Sequence, residues 1–205
     1  MLAYVFWHRP REGTAVEAYE LALERFHRSL AHRPPSGFRG SAAFRAAELP
    51  WLAPTQGQQA RAAGGGYEDW YLLDGWGALG VLEEAAVSRG HISAHDAAAG
   101  LAGAGTAGIY RLSEGHENLA DTRVSVWVTS SPGHSSPAMA DLLQDGMDPR
   151  RTCLWRRGLA LGPAPEFCLL ASEPEAVGAL TGVAATRLPA GWTAMTFERE
   201  VLWSG

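Results

Sequence analysis

Histidine is the residue type of this chain best suited to acid–base chemistry, because imidazole titrates near neutral pH. Seven histidines are present. His91 and His95 are four residues apart, and Asp96 follows directly, so that a base and an acid are neighbours in a glycine-rich segment. His8 stands beside Trp7 at the end of the first predicted strand. We therefore predict His91, His95, Asp96 and His8 as catalytic residues.

The four-residue spacing of His91 and His95 also suits two metal ligands on one face of a helix. However, Ser93 is the expected N-cap of the following helix, which would leave His91 outside it and remove the shared face. We predict no metal site here, and a structural role for both imidazoles is the alternative. The sequence identifies no cofactor.

Tryptophan is unusually frequent, with eight residues, most of them on predicted strands. Trp127 alternates with valines along its strand, so it faces the side opposite to them. If the valines meet helices, Trp127 lies inside a barrel. Indoles at such positions suit a flat aromatic or apolar ligand, and the predicted ligand-binding residues are Trp7, Trp70, Trp127 and Trp155. The alternative is that these rings simply fill the interior.

The two cysteines, Cys153 and Cys168, lie on two strands joined by a turn rich in proline. A hairpin centred between Pro163 and Ala164 places residue 159, not Cys153, opposite Cys168. We therefore predict two reduced, buried thiols rather than a disulfide.

Two arginine pairs, Arg150-Arg151 and Arg156-Arg157, form a small basic cluster beside a predicted strand. Such a cluster can bind a carboxylate, and the alternative is a solvated or salt-bridged face.

The overall charge excludes several classes of partner. The chain has 205 residues, 22 acidic residues and 17 cationic ones, all arginine, for a formal net charge of -5. Nucleic acids and anionic membranes need a concentrated positive face, so we expect neither as a partner. No segment approaches the roughly 20 apolar residues that span a bilayer, and there is no basic leader. We expect a cytoplasmic protein.

The predicted elements repeat in the order βαββαβ, first in residues 1–115 and again in residues 120–205. Strands are predicted in the first half at 3–8, 37–47, 70–73 and 107–112, and in the second at 123–129, 153–161, 166–171 and 192–203. Residues 48–66 form a long connection, which is typical of a functional loop such as a lid.

This order of elements resembles the dimeric α+β barrel superfamily, in the form in which one chain contains both ferredoxin-like halves. The resemblance covers residues 2–113 and 122–203. It implies an α+β fold in which two four-stranded antiparallel sheets form a barrel with helices outside. It also implies a small ligand in the barrel interior or in the cleft between sheet and helices. Members include quinone-forming monooxygenases, haem-degrading enzymes and lactone isomerases.

We therefore expect a protein that binds a small apolar or aromatic ligand, with oxygenase-like or isomerase-like chemistry. The alternative is a non-catalytic protein that has a filled barrel and acts through self-association. The state of assembly stays open, because a tandem repeat can close its own barrel or pair with a second chain as a homo-oligomer.

Overall fold

A computed structural model describes residues 1–46, 49–52, 65–88, 90–130, 137–145, 147–177 and 188–205. Its elements are, in chain order, β1 (Leu2–Pro10), α1 (Val16–His32), β2 (Phe38–Ala46), β3 (Tyr67–Leu73), α2 (Trp76–Ala86), α3 (Ile92–Leu101), β4 (Ala102–Glu114), β5 (Val124–Ser130), α4 (Pro137–Asp145), β6 (Thr152–Ala160), β7 (Phe167–Ala171) and β8 (Trp192–Ser204). Among the described residues, no helix is both long and apolar enough to cross a bilayer.

The eight strands form one closed barrel in the order β1-β3-β2-β8-β5-β7-β6-β4, and β4 returns to β1. Every pairing is antiparallel. The first four strands lie in the order β4-β1-β3-β2 and the last four in the equivalent order β8-β5-β7-β6. Closure leaves these strands without a free edge. The predicted α+β class with an antiparallel barrel is thus confirmed.

Alternation along each strand sends neighbouring side chains to opposite sides of the barrel wall. In β3, Trp70 and Leu72 belong to the interior cluster, whereas Tyr71 and Leu73 belong to the cluster beneath the first three helices. All seven residues of β3 are buried, because the strand is covered on both faces. On β5, the outward Val124, Val126 and Val128 pack against α4, as the alternation predicted.

Tryptophan rings fill the barrel interior. Trp127 lies 5.1 Å from Trp7 and 5.8 Å from Trp70, measured between ring centroids, and Trp155 lies 5.6 Å from Trp70. Trp51, in the connection that follows β2, packs edge-on against Trp7 and Trp127. All of these rings belong to one hydrophobic cluster. Their mutual packing makes this region a core of interlocked side chains.

Two local predictions are wrong, the N-cap at Ser93 and the residue opposite Cys168. Helix α3 begins at Ile92, and its N-cap is His91 rather than Ser93. The carbonyl of His91 accepts the backbone N–H groups of Ala94 and His95, and no side chain caps the helix. Opposite Cys168 lies Trp155 rather than residue 159, because β6 extends beyond the hairpin to pair with β4. The cysteines are nevertheless free and buried, as predicted.

An ion pair lies inside the barrel. Arg199 of β8 donates from Nη1 to Oε2 of Glu68 on β3 at 3.0 Å, and both side chains are fully buried. The indole N–H groups of Trp127 and Trp70 also donate to this carboxylate, at 2.9 and 3.3 Å. The Arg199 guanidinium carbon lies 3.9 Å from the ring centroid of Phe44. Charges and aromatic rings from both halves of the chain therefore meet on one carboxylate.

Replacing Arg199 with methionine leaves a buried carboxylate without its cation. We expect Arg199→Met to lower the free energy of unfolding by about 3–5 kcal/mol. The double variant Glu68→Gln/Arg199→Met should lose less of the free energy of unfolding, because an amide oxygen still accepts hydrogen bonds from the indoles and no charge remains buried. Urea denaturation followed by tryptophan fluorescence measures both. A double variant as unstable as Arg199→Met would contradict this role for the ion pair.

Candidate active site

A cavity of about 300 Å³ lies between the outer face of the barrel and the first three helices. We call it the sheet–helix cleft. Its lining residues come from β1, β3 and the start of β4 on one side, and from α1, α2 and α3 on the other: Tyr4, Phe6, His8, Tyr19, Leu23, Phe26, Asp69, Tyr71, Leu82, Glu83, Ala86, His95, Ala98, Ala99, Ala102 and Gly103. The lining is thus mainly aromatic and aliphatic, with a few polar groups, which is typical of small-molecule sites.

The local sequence explains why a cavity forms here. Alternation on β1 turns its even-numbered residues outward, and His8 is the last of them to line the cleft. Helix α1 places an apolar stripe with Tyr19 and Phe26 over the sheet. Helix α3 contributes small side chains, Ala98 and Ala99, where larger ones would close the space.

A chain of polar contacts links Tyr19, His8 and Asp69 in the cleft wall. The hydroxyl of Tyr19 lies 2.6 Å from Nδ1 of His8. Nε2 of His8 lies 3.1 Å from Oδ2 of Asp69, within ion-pair distance, although the approach is too oblique for a regular hydrogen bond. Tyr71 donates its hydroxyl proton to the same oxygen at 3.3 Å.

His27 of α1 contacts the other oxygen of Asp69. Its Nε2 lies 3.3 Å from Oδ1, and its Nδ1 lies 2.8 Å from the hydroxyl of Ser41. The imidazole is also stacked on Tyr71, with the planes 8° apart and the centroids 5.1 Å apart. The Asp69 carboxylate is therefore placed between two imidazoles, each fixed by a second contact.

The surroundings decide which of these groups are charged. Burial favours the neutral form of Asp69, but His8 and His27 together outweigh it and hold the pKa of this carboxyl well below its usual range. Burial, with a smaller contribution from Asp69, raises the pKa of Tyr19 and of Tyr71 far above the ordinary value. Burial and Glu83 raise the pKa of Tyr4 to about 12. At neutral pH, the cleft thus contains an ionised carboxylate and neutral phenols.

This arrangement can move a proton. When Nε2 of His8 carries its proton toward Asp69, Nδ1 accepts the hydroxyl proton of Tyr19. The Tyr19 oxygen can then take a proton from a molecule in the cleft while it passes its own to His8. Asp69 stabilises the imidazolium that results, as the acid does in a hydrolase triad.

The predicted catalytic residues occupy different places. His8 and His95 both line the cleft. His95 contacts the exposed Asp96 at 3.1 Å and packs edge-on against Phe26. His91 is buried outside the cleft and lies 3.1 Å from the hydroxyl of Ser29.

The predicted ligand-binding tryptophans, Trp7, Trp70, Trp127 and Trp155, lie on the other side of the barrel wall, in the interior core. Of the predicted lid at 48–66, residues 48 and 53–64 lie outside the described part of the chain. Leu49, Trp51 and Leu52 belong to the interior cluster. Among the described residues, no group of three or more histidine, cysteine or acidic side chains is placed to hold a metal ion.

Sequence reasoning did not find Asp69, Tyr19 or His27. A signal for Asp69 exists, because Glu68-Asp69 is an acidic pair directly before the apolar run Trp70-Tyr71-Leu72-Leu73. Charges in a strand that is buried on both faces need partners. No comparable signal marks Tyr19 or His27, because their polar partners lie on β1 and β3 and the contacts depend on how α1 packs on the sheet.

Comparison with protein-family models and with curated proteins finds no match to this sequence. Solved structures do match over almost the whole chain. A candidate monooxygenase from Fusobacterium nucleatum subsp. nucleatum ATCC 25586 has a TM-score of 0.66, with 9% identity and coverage of 99% of this chain and 93% of that one. An anthrone oxidase-like protein has a TM-score of 0.58, with 9% identity and coverage of 100% and 92%.

A candidate monooxygenase from Lactobacillus acidophilus NCFM has a TM-score of 0.55 and 9% identity, and the match covers 100% of this chain and 95% of that one. At this identity the likeness concerns the fold. The chain shares its fold, a closed antiparallel barrel with helices outside, with these proteins.

The low pKa of Asp69 predicts a specific loss of stability in acid. Because the pKa is lower in the folded protein than in the unfolded chain, the carboxylate stabilises the fold fully above about pH 4. The contribution falls as the pH drops below that value toward the folded pKa. We expect Asp69→Asn to cost about 2 kcal/mol at neutral pH, and the difference from the wild type to shrink steadily below about pH 4. Urea denaturation at a series of pH values measures this difference, and a constant difference would contradict the assignment.

Proposed function

We propose that the protein binds a small aromatic molecule in the sheet–helix cleft and catalyses an oxygenase-like reaction on it in the cytoplasm. The observation that supports this most directly is the Tyr19–His8–Asp69 chain in the wall of an aromatic-lined cavity. The names of the fold neighbours, monooxygenase and anthrone oxidase-like, point in the same direction.

The cleft suits a flat ligand with an acidic C–H or O–H group. A volume of about 300 Å³ is at the lower end of small-molecule sites, so the ligand is about two or three rings in size. Phe6 and Phe26 supply apolar ring surface near the polar chain. The base is buried, so the developing charge is stabilised by fixed groups rather than by water.

The first step of the proposed reaction is proton abstraction. A substrate methylene flanked by aromatic rings, which conjugate it to a carbonyl, loses one proton to the oxygen of Tyr19, whose own proton moves to Nδ1 of His8. The carbanion then reacts with dioxygen. One oxygen atom becomes the new carbonyl oxygen, and the other leaves as water with the two methylene hydrogens, so the carbon is oxidised by four electrons and dioxygen is fully reduced.

His95 is placed to assist at the same cavity. It lines the cleft and contacts Asp96, which orients the ring through Nδ1. His91 faces Ser29 instead, so we give it a structural role. The same proposal treats residues 1–115 and 120–205 as two ferredoxin-like units that close one barrel, because their strand orders are equivalent. The site then lies wholly on the first unit.

Anthrone tests this proposal, because its central methylene is flanked by two aromatic rings. The wild-type protein should convert anthrone and dioxygen to anthraquinone and water in equal molar amounts, above the rate of the protein-free solution. His8→Asn and Tyr19→Phe should each lower kcat by about a hundredfold. Tyr19→Phe should leave KM nearly unchanged, since the ring remains. An oxygen electrode and the quinone absorbance measure both quantities.

His32→Gln is the matched control, because His32 is an exposed residue of α1 outside the cleft. It should retain wild-type kcat and KM. Activity that survives in both His8→Asn and Tyr19→Phe would contradict the assigned base. A wild-type protein that consumes no dioxygen with anthrone, yet binds it, would retain the binding part of the proposal and contradict the oxygenase part.

A further inference from the structure

A second cavity, of about 570 Å³, lies at one end of the barrel. It shares no lining residue with the cleft. The ends of β4 and β7 and the starts of β5 and β6 meet at this end. The cavity is lined by His116, Asn118, Asp121, Thr122, Arg123, Pro149, Arg150, Arg151, Thr152, Cys153, Leu170 and Ser172. We call it the basic pocket.

Three arginines and one histidine face the basic pocket, whereas Asp121 is its one acidic lining residue among those described. This concentration of cations is notable in a chain with a net charge of -5. Asp121 accepts a hydrogen bond from the Asn118 amide. Arg151 is paired with Glu173, which does not line the pocket.

The other two arginines have no acidic partner in the described part of the chain. Within the described residues, the guanidinium of Arg123 donates to the backbone carbonyls of Ala120 and Thr122. For Arg150, the contact made within the described residues involves its backbone N–H, which donates to Asp148. Two exposed guanidinium charges therefore remain available to a ligand, and guanidinium binds carboxylate and phosphate through paired hydrogen bonds.

The walls of the basic pocket are fixed from behind. The Thr122 hydroxyl donates to the carbonyl of Leu119 and accepts a hydrogen bond from the buried Arg199. Gly115 has a φ of +84°, and a Cβ atom there would overlap the carbonyl oxygen of Thr152. The segment after β4 thus packs directly against the start of β6. A site held in place before binding loses less entropy when the ligand arrives.

The floor of the basic pocket differs from its rim. Leu170 and Cys153 are interior-facing, buried residues, and burial raises the pKa of the Cys153 thiol to about 11, so it stays neutral. A ligand that fits therefore combines an oxyanion with an apolar part. We propose that the basic pocket binds a small organic anion, whose carboxylate or phosphate group is held by Arg123 and Arg150 and whose carbon part lies against Leu170 and Pro149.

Isothermal titration calorimetry of the full chain at low ionic strength tests this proposal, with benzoate, phenyl phosphate and inorganic phosphate as probes. We expect benzoate or phenyl phosphate to bind to one site per chain with a dissociation constant of about 1 mM or lower. Inorganic phosphate should bind more weakly, because it lacks the apolar part. The stronger of the two aromatic probes identifies the preferred head group.

Arg150→Gln and Arg123→Gln should each weaken binding of the preferred probe by about tenfold, because each removes one charged hydrogen-bond donor. Arg25→Gln removes the same charge from an exposed position of α1 outside the pocket and should leave the dissociation constant unchanged. Both pocket arginines are exposed, so the variants should fold, and tryptophan fluorescence checks this.

An equal dissociation constant in Arg150→Gln, Arg123→Gln and the control Arg25→Gln would show a non-specific charge effect and overturn the proposal. The absence of binding by every probe at about 10 mM would also overturn the proposal, because that concentration is roughly tenfold above the expected dissociation constant. Neither result bears on anthrone oxidation, because the cleft and the basic pocket share no lining residue.

Discussion

Two adjacent carboxylates in one doubly covered strand impose the main constraint on this structure. Glu68 points into the barrel and Asp69 points toward the helices, and both are buried. A buried charge needs partners, because water no longer stabilises it. Arg199 and two indoles supply them on the inside, and two imidazoles and a tyrosine supply them on the outside. The position of β3 in the barrel therefore fixes the interior core and the cleft together.

The packing of the interior is the reason why the cleft is the candidate site. Trp7, Trp70 and Trp127 occupy the barrel with their rings in contact, and Trp51 adds a further ring at the end where β2 stops. A close-packed interior forms a rigid support for the outer face of the same strands. Groups on that face, such as His8 on β1, are held by strands that cannot easily shift.

The two ends of the barrel differ in chemistry. At the end where β2 stops and β3 begins, Leu49, Trp51 and Leu52 pack into the interior cluster. At the opposite end, arginines and buried apolar residues surround an open cavity. Arg199 connects the interior to this end, since it contacts Glu68 and Thr122 at once. The polar contacts of the interior therefore extend from Glu68 to Thr122 in the wall of the basic pocket.

The sequence by itself indicated the eight strands, because side-chain alternation and the positions of prolines are local properties. It also singled out His91, His95, Asp96 and His8 through the chemistry of imidazole, and of these His8 and His95 line the cleft. Only the tertiary structure decided that the indoles pack together inside the barrel. It also decided that Asp69 meets His27, because these residues lie on β3 and α1 and their contact depends on the register of the closed barrel. The hydrogen bonds that close a barrel are non-local, and a single strand's pattern does not contain them.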